Sequence, residues 1–90
     1  MGIPQLSNVI VVGRKPIANY VLTSIIMFNQ GMDEVIIKGR GENISKAVDV
    51  YNALKDRLGE SLELVSIEIG SEKGGRRLLP FIVIKVKRVL

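Results

Sequence analysis

Ninety residues give one domain with a single small core, and a chain of this size buries only about two-thirds of its unfolded surface. With 47% hydrophobic residues, self-association is the simple way to enlarge that burial. Thirteen Lys and Arg against nine Asp and Glu leave a net charge of +4, which favours a polyanion or an anionic surface as partner; the absence of Cys and His excludes disulfides, thiol chemistry, a zinc site of the usual ligands and Ser/His/Asp or Cys/His catalysis.

Residues 1–6 read as a flexible tail, lacking the basic start and long apolar stretch of a signal peptide. Asn29, Asp33 and Lys38 interrupt the best candidates for a membrane span, so a cytosolic protein with no membrane partner is expected. Val9-Ile10-Val11-Val12 is an unbroken β-branched run ended by Gly13, the pattern of a central strand. Arg14-Lys15-Pro16 follows, and proline suits the first turn of a helix, where its missing N–H has no partner to lose. The spacing predicts a helix to about Asn29, closed at Gly31. Ile17, Tyr20, Val21, Ser24, Ile25 and Phe28 make one face, while Leu22, Ile26 and Met27 carry apolar surface round the other side. That side needs a cover, from the second helix or from a partner subunit.

Val35-Ile36-Ile37 is a second short strand, broken by Gly39-Arg40-Gly41, where glycines allow a sharp turn and close approach of a ligand. From Ile44 the apolar positions Ile44, Ala47, Val48, Tyr51, Leu54 and Leu58 recur at helical spacing up to Gly59. Arg40 therefore precedes a helix N-terminus, where unpaired N–H groups and the helix dipole favour an anion. Lys46, in the first turn, opposes the dipole and suggests an anion nearby. Asp49, Asn52, Lys55, Asp56 and Glu60 read as a solvated side.

Leu62 to Ile69 is a third strand whose apolar phase changes near Val65, which a bulge would reconcile. Residues 70–78 form a basic hairpin arm, with Gly74-Gly75 as its two-residue turn and Lys73, Arg76 and Arg77 at or near the tip. Arginines on a thin β-ribbon suit a narrow groove of nucleic acid. The last strand starts near Pro80. Tyr20, Phe28, Tyr51 and Phe81 fall in helix or strand patterns and are assigned to the core, leaving few aromatics for stacking on bases.

The order βαβαββ predicts an α/β two-layer sandwich, with two helices on one face of a four-stranded mixed sheet. Crossovers between parallel strands put both strand-to-helix turns at one end of the sheet. Arg14, Lys15, Arg40 and Lys46 then converge.

Ile37-Lys38-Gly39-Arg40-Gly41, followed by Ile44-Ser45-Lys46-Ala47-Val48-Asp49, resembles the central motif of the Alba family, the small archaeal chromatin proteins. Ser7 to Pro16, Asn19-Tyr20-Val21, Asn29-Gln30-Gly31 and Ile69-Gly70-Ser71 resemble the same family in the same order. The resemblance implies a dimer of this topology, similar to the C-terminal domain of translation initiation factor three. It implies body contacts to duplex phosphates by Arg14, Lys15 and Arg40, and minor-groove contacts by Arg76 and Arg77. It also implies a dimer built largely on the first helix and neighbouring strands, with contacts between dimers near Arg57 and Leu58. Arg14 stands where some relatives carry an acetylated lysine, Glu42 where some are basic, and Leu58 where an aromatic occurs; the arm is short beside theirs.

Three functions compete. The first is a non-enzymatic, largely sequence-independent architectural protein on double-stranded DNA, associated with the chromosome, as a homodimer or a heterodimer with a paralogue. The second is an RNA-binding protein acting on structured RNA, as a chaperone or in a ribonuclease P-type complex. The third, a nucleotide-binding enzyme using residues 39–41, lacks the lysine-serine ending of a P-loop and the full dinucleotide fingerprint. No cofactor or metal is expected.

Overall fold

The computed structural model describes residues 7–90, so the expected tail over residues 1–6 lies outside the described residues. The elements are β1 (Val9–Val11), α1 (Ile17–Asn29), β2 (Glu34–Arg40), a 3-10 turn (Gly41–Asn43), α2 (Ile44–Leu58), a second 3-10 turn (Gly59–Ser61), β3 (Leu62–Gly74) and β4 (Arg77–Arg88). The predicted βαβαββ order holds, and the strands lie side by side as β1-β2-β4-β3. β1 runs parallel to β2, and β4 is antiparallel to both β2 and β3.

Alternation builds the core. Val35 and Ile37 of β2 and Ile82, Ile84 and Val86 of β4 point to one face, where they meet Tyr20, Val21 and Phe28 of α1 and Ala47, Val50 and Leu54 of α2. Helix α1 closes as its sequence predicts: Gly31 N–H donates to the Phe28 carbonyl (3.0 Å) and Met32 N–H to that of Met27 (3.1 Å), the paired bonds of a Schellman motif. Buried Ser24 donates to the Tyr20 carbonyl at 2.8 Å, so its hydroxyl is satisfied inside the core.

Several expectations need correction. β1 is an edge strand, because it lies at the end of the order β1-β2-β4-β3 and pairs with β2 alone, and within it Ile10 turns inward while Val9 and Val11 face out; β4, not β1, is the interior strand beside β2. On α2 the inward residue is Val50, and Val48 is exposed, since the buried stripe follows Ala47, Val50 and Leu54. Lys55 is more than solvated surface: its ammonium donates to the carbonyls of Gly59 (2.9 Å) and Leu62 (2.7 Å), closing the helix C-terminus onto β3.

The predicted irregularity at Val65 is present as a register shift between Leu64 and Ser66. It keeps Leu62, Leu64, Ile67 and Ile69 on the helix side of the sheet, opposite Arg88, Val86, Ile84 and Ile82 in turn. Yet α2 covers only Leu62. Leu64, Val65, Ile67 and Ile69 are 40–76% exposed, an apolar strip along the second edge of the sheet.

Candidate nucleic-acid interface

The register of the sheet brings the basic elements to one end. Val11 lies opposite Lys38, and Val12 N–H donates to the Lys38 carbonyl at 2.8 Å. One step further, Gly13 draws level with Arg40, so the β1–α1 loop leaves the sheet beside the β2–α2 turn. Arg40 pairs with Phe81, and Phe81 with Gly70. Beyond that row β3 and β4 continue alone from Ser71–Pro80 to Gly74–Arg77. At about 3.4 Å per residue, the arm projects about 14 Å past the body from this same end.

The loop carrying Arg14 and Lys15 is fixed from beneath. The Tyr20 hydroxyl oxygen accepts from Gly13 N–H (2.8 Å) and Lys15 N–H (3.2 Å), so this buried residue shapes the basic loop as well as filling the core. The Lys46 ammonium donates to the Gly13 carbonyl at 2.6 Å and lies 5.7 Å from the centre of the Tyr20 ring. Lys46 thus joins the two turns, as their predicted convergence requires, but it is half-buried and engaged within the protein. Arg14 and Lys15 remain exposed.

Gly39 does not break its strand. It continues β2 opposite Ile82, and a side chain there would put its Cβ 2.5 Å from the Asn43 carbonyl oxygen and 2.8 Å from the Ala47 Cβ. Its bareness lets α2 pack down on the sheet. The chain turns one residue after Arg40.

The hairpin turn is shifted by one residue from expectation. Gly74 and Arg77 close the ladder, and the two turn residues are Gly75, at φ +68°, and Arg76. A positive φ at the first central position alone is the type II′ pattern, which matches the twist of a hairpin. Arg76 therefore occupies the tip itself. Alternation puts Lys73 and Arg77 on opposite faces of the arm, so the three arm cations do not form one cluster.

Sequence reasoning missed Lys38, Glu72 and the placement of Phe81. Phe81 points away from the helices, half-buried across Gly70, where an added Cβ would meet the ring at 2.7 Å. The Lys38 ammonium sits 5.4 Å from its ring centre. One Glu72 carboxylate oxygen lies 3.4 Å from the Arg40 guanidinium and 3.8 Å from the Lys38 ammonium. The signal was available for Lys38 and Arg40, since inward Val35, Ile37 and Gly39 force them together on the open face. Between the β2–α2 turn and the arm lies an open cleft of about 780 Å³, lined in part by Arg40, Asn43, Arg77 and Pro80. Among the described residues no group of three or more acidic side chains is arranged to hold a metal ion, and no helix is long and apolar enough to cross a membrane.

Comparison with known proteins agrees with this architecture. The family model described as Alba matches residues 8–71. DNA/RNA-binding protein Alba 2 of Saccharolobus solfataricus is 51% identical, covering 94% of this chain and 96% of its own. DNA/RNA-binding protein Alba of Methanocella arvoryzae is 43% identical over 90% of each. The solved structure of Alba from Thermoplasma volcanium superposes with a TM-score of 0.81 at 36% identity, covering 89% of this chain and 99% of that one. These relatives are named for binding nucleic acid, not for catalysis. With a matching model over most of its length and relatives at this identity, the chain belongs to the Alba family.

Proposed function

We propose that this protein is a non-enzymatic nucleic-acid-binding protein that coats double-stranded DNA with little sequence preference, as a chromosome-associated architectural component of the cytoplasm. The observation that carries the reading is the convergence of three basic elements at one end of the sheet: Arg14 and Lys15, Arg40, and the arm with Lys73, Arg76 and Arg77. The body cations meet phosphates and the arm enters the minor groove. Phosphate contacts position a protein without reading bases. Lys46 serves by holding the Gly13–Lys15 loop in place.

The working unit is a dimer, of this chain with itself or with a paralogue. The exposed strip Leu64, Val65, Ile67 and Ile69 supports an interface along β3, because an uncovered apolar edge strand invites a partner. Leu22 and Ile26 of α1, the face favoured by family resemblance, offer a smaller exposed pair. Contacts between dimers would use the end of α2, around exposed Arg57 and half-buried Leu58.

A second reading, binding of structured RNA, draws support from relatives named for both nucleic acids. Phe81 is held between Gly70 and Lys38, so it is poorly placed to stack on single-stranded bases, and a duplex is the favoured form.

The test is a salt series with DNA and RNA duplexes of unrelated sequence, comparing wild type with Arg40→Ala. Six phosphate contacts per dimer give a slope of log K against log salt of about −5, and Arg40→Ala makes it shallower on every sequence alike. Preference for RNA moves the protein to RNA metabolism; no binding at low salt removes the reading.

A further inference from the structure

Resting on that nucleic-acid reading, we propose that Glu72 is a built-in competitor of the ligand: its carboxylate occupies the place on Arg40 and Lys38 that a nucleic-acid phosphate takes on docking. Arg40 and Lys38 stand two residues apart on the open face of β2 and converge on a single Glu72 oxygen, at 3.4 Å and 3.8 Å. An anionic oxygen shared by a guanidinium and an ammonium is the arrangement a bound phosphate oxygen adopts. These are the two ion pairs among the described residues, and both engage Glu72. The exposed cations Arg14, Lys15, Lys73, Arg76 and Arg77 have no such partner there. Of the cationic positions at this end of the sheet, Arg40 and Lys38 are the ones already supplied with an anion.

Two consequences follow from the location of Glu72 on the arm and of Arg40 on the body. In the free protein the carboxylate pins the root of the arm against the end of β2. Docking exchanges a carboxylate for a phosphate, so Arg40 adds less to affinity than a free arginine would, and the same exchange releases the arm root. Affinity at the body and freedom of the arm are coupled through one side chain. The pairs are partly exposed, with side-chain exposures of 51% for Arg40 and 35% for Glu72, so solvent limits the competition to a modest size.

Glu68 supplies the control. It lies on the same face of β3, opposite Val83, and makes no ion pair among the described residues, so Glu68→Gln removes an equal charge without removing the competitor. Binding of one DNA duplex is measured across salt for wild type, Glu72→Gln and Glu68→Gln, each also in an Arg40→Ala background. The expected result is a two- to fivefold gain in affinity, roughly, for Glu72→Gln at low salt, beyond any gain from Glu68→Gln, and a steeper salt slope. That extra gain shrinks when Arg40 is absent. Equal effects of the two glutamine variants, or weaker binding by Glu72→Gln, overturn the inference while leaving nucleic-acid binding intact. If wild type binds no duplex even at low salt, the nucleic-acid reading falls and the inference falls with it.

Discussion

The Lys46 ammonium lies 2.6 Å from the Gly13 carbonyl oxygen, so the first turn of α2 is fastened to the loop that presents Arg14 and Lys15. Lys46→Met keeps the aliphatic stem and removes the bond. It is expected to lower stability by about 1 kcal/mol, read from urea unfolding, and to leave the salt slope of duplex binding at the wild-type value. Arg40→Ala instead lowers that slope by about 0.9 for each phosphate left without its cation. A slope reduced as much by Lys46→Met would make Lys46 a direct phosphate ligand.

The Tyr20 hydroxyl accepts two backbone N–H groups of the same loop. Tyr20→Phe keeps the ring in the core and leaves those donors to water. The expected cost is about 1 kcal/mol, with faster hydrogen exchange at Gly13 and Lys15 than at amides elsewhere in the sheet. Unchanged exchange at both would mean that the loop keeps its shape without the hydroxyl.

Gly39→Ala drives a methyl group against the Asn43 carbonyl and the Ala47 side chain. Overpacking of this kind costs about 1–3 kcal/mol, and backbone is the harder of the two neighbours to move. The denaturation midpoint should fall accordingly; a variant as stable as wild type would show that α2 can lift off the strand freely.

Leu54 is fully buried and Ile69 is 76% exposed, which separates folding from assembly. Leu54→Ala is expected to cost about 2–5 kcal/mol of folding stability. Ile69→Asp, paired with Ile67→Asp, should leave the protomer folded by circular dichroism while shifting its mass in native mass spectrometry from dimer to monomer. A dimer that survives both aspartates uses another face.

Local chemistry made much of this fold legible. Helical spacing and a glycine stop are properties of neighbouring residues, and α1 runs from Ile17 to Asn29 as its apolar positions predict. The phase change in β3 likewise revealed the bulge. Strand adjacency depends on distant segments, so a β-branched run could not tell that β1 lies at an edge. On α2, Val48 and Val50 both fit a broad apolar stripe, and only the position of the sheet chooses between them. The basic residues were visible one by one, but the Glu72 carboxylate meets Arg40 across 32 positions of chain, and no spacing rule connects them. Lys46 shows the opposite limit: its proximity to the first turn was foreseen, while its engagement with a carbonyl depends on where the Gly13 backbone points.

Val65 is the one residue of β3 that the ladder with β4 passes over, since Leu64 pairs with Val86 and Ser66 with the adjacent Lys85. It works as a parity device. Had Val65 taken a regular place in the ladder, every later side chain would change sides, carrying Glu72 to the helix side of the sheet and away from Arg40. A spare residue at that point also bends and twists its strand. The aim of the arm can therefore be retuned at position 65 by substitution, independently of which residues the arm brings opposite β4.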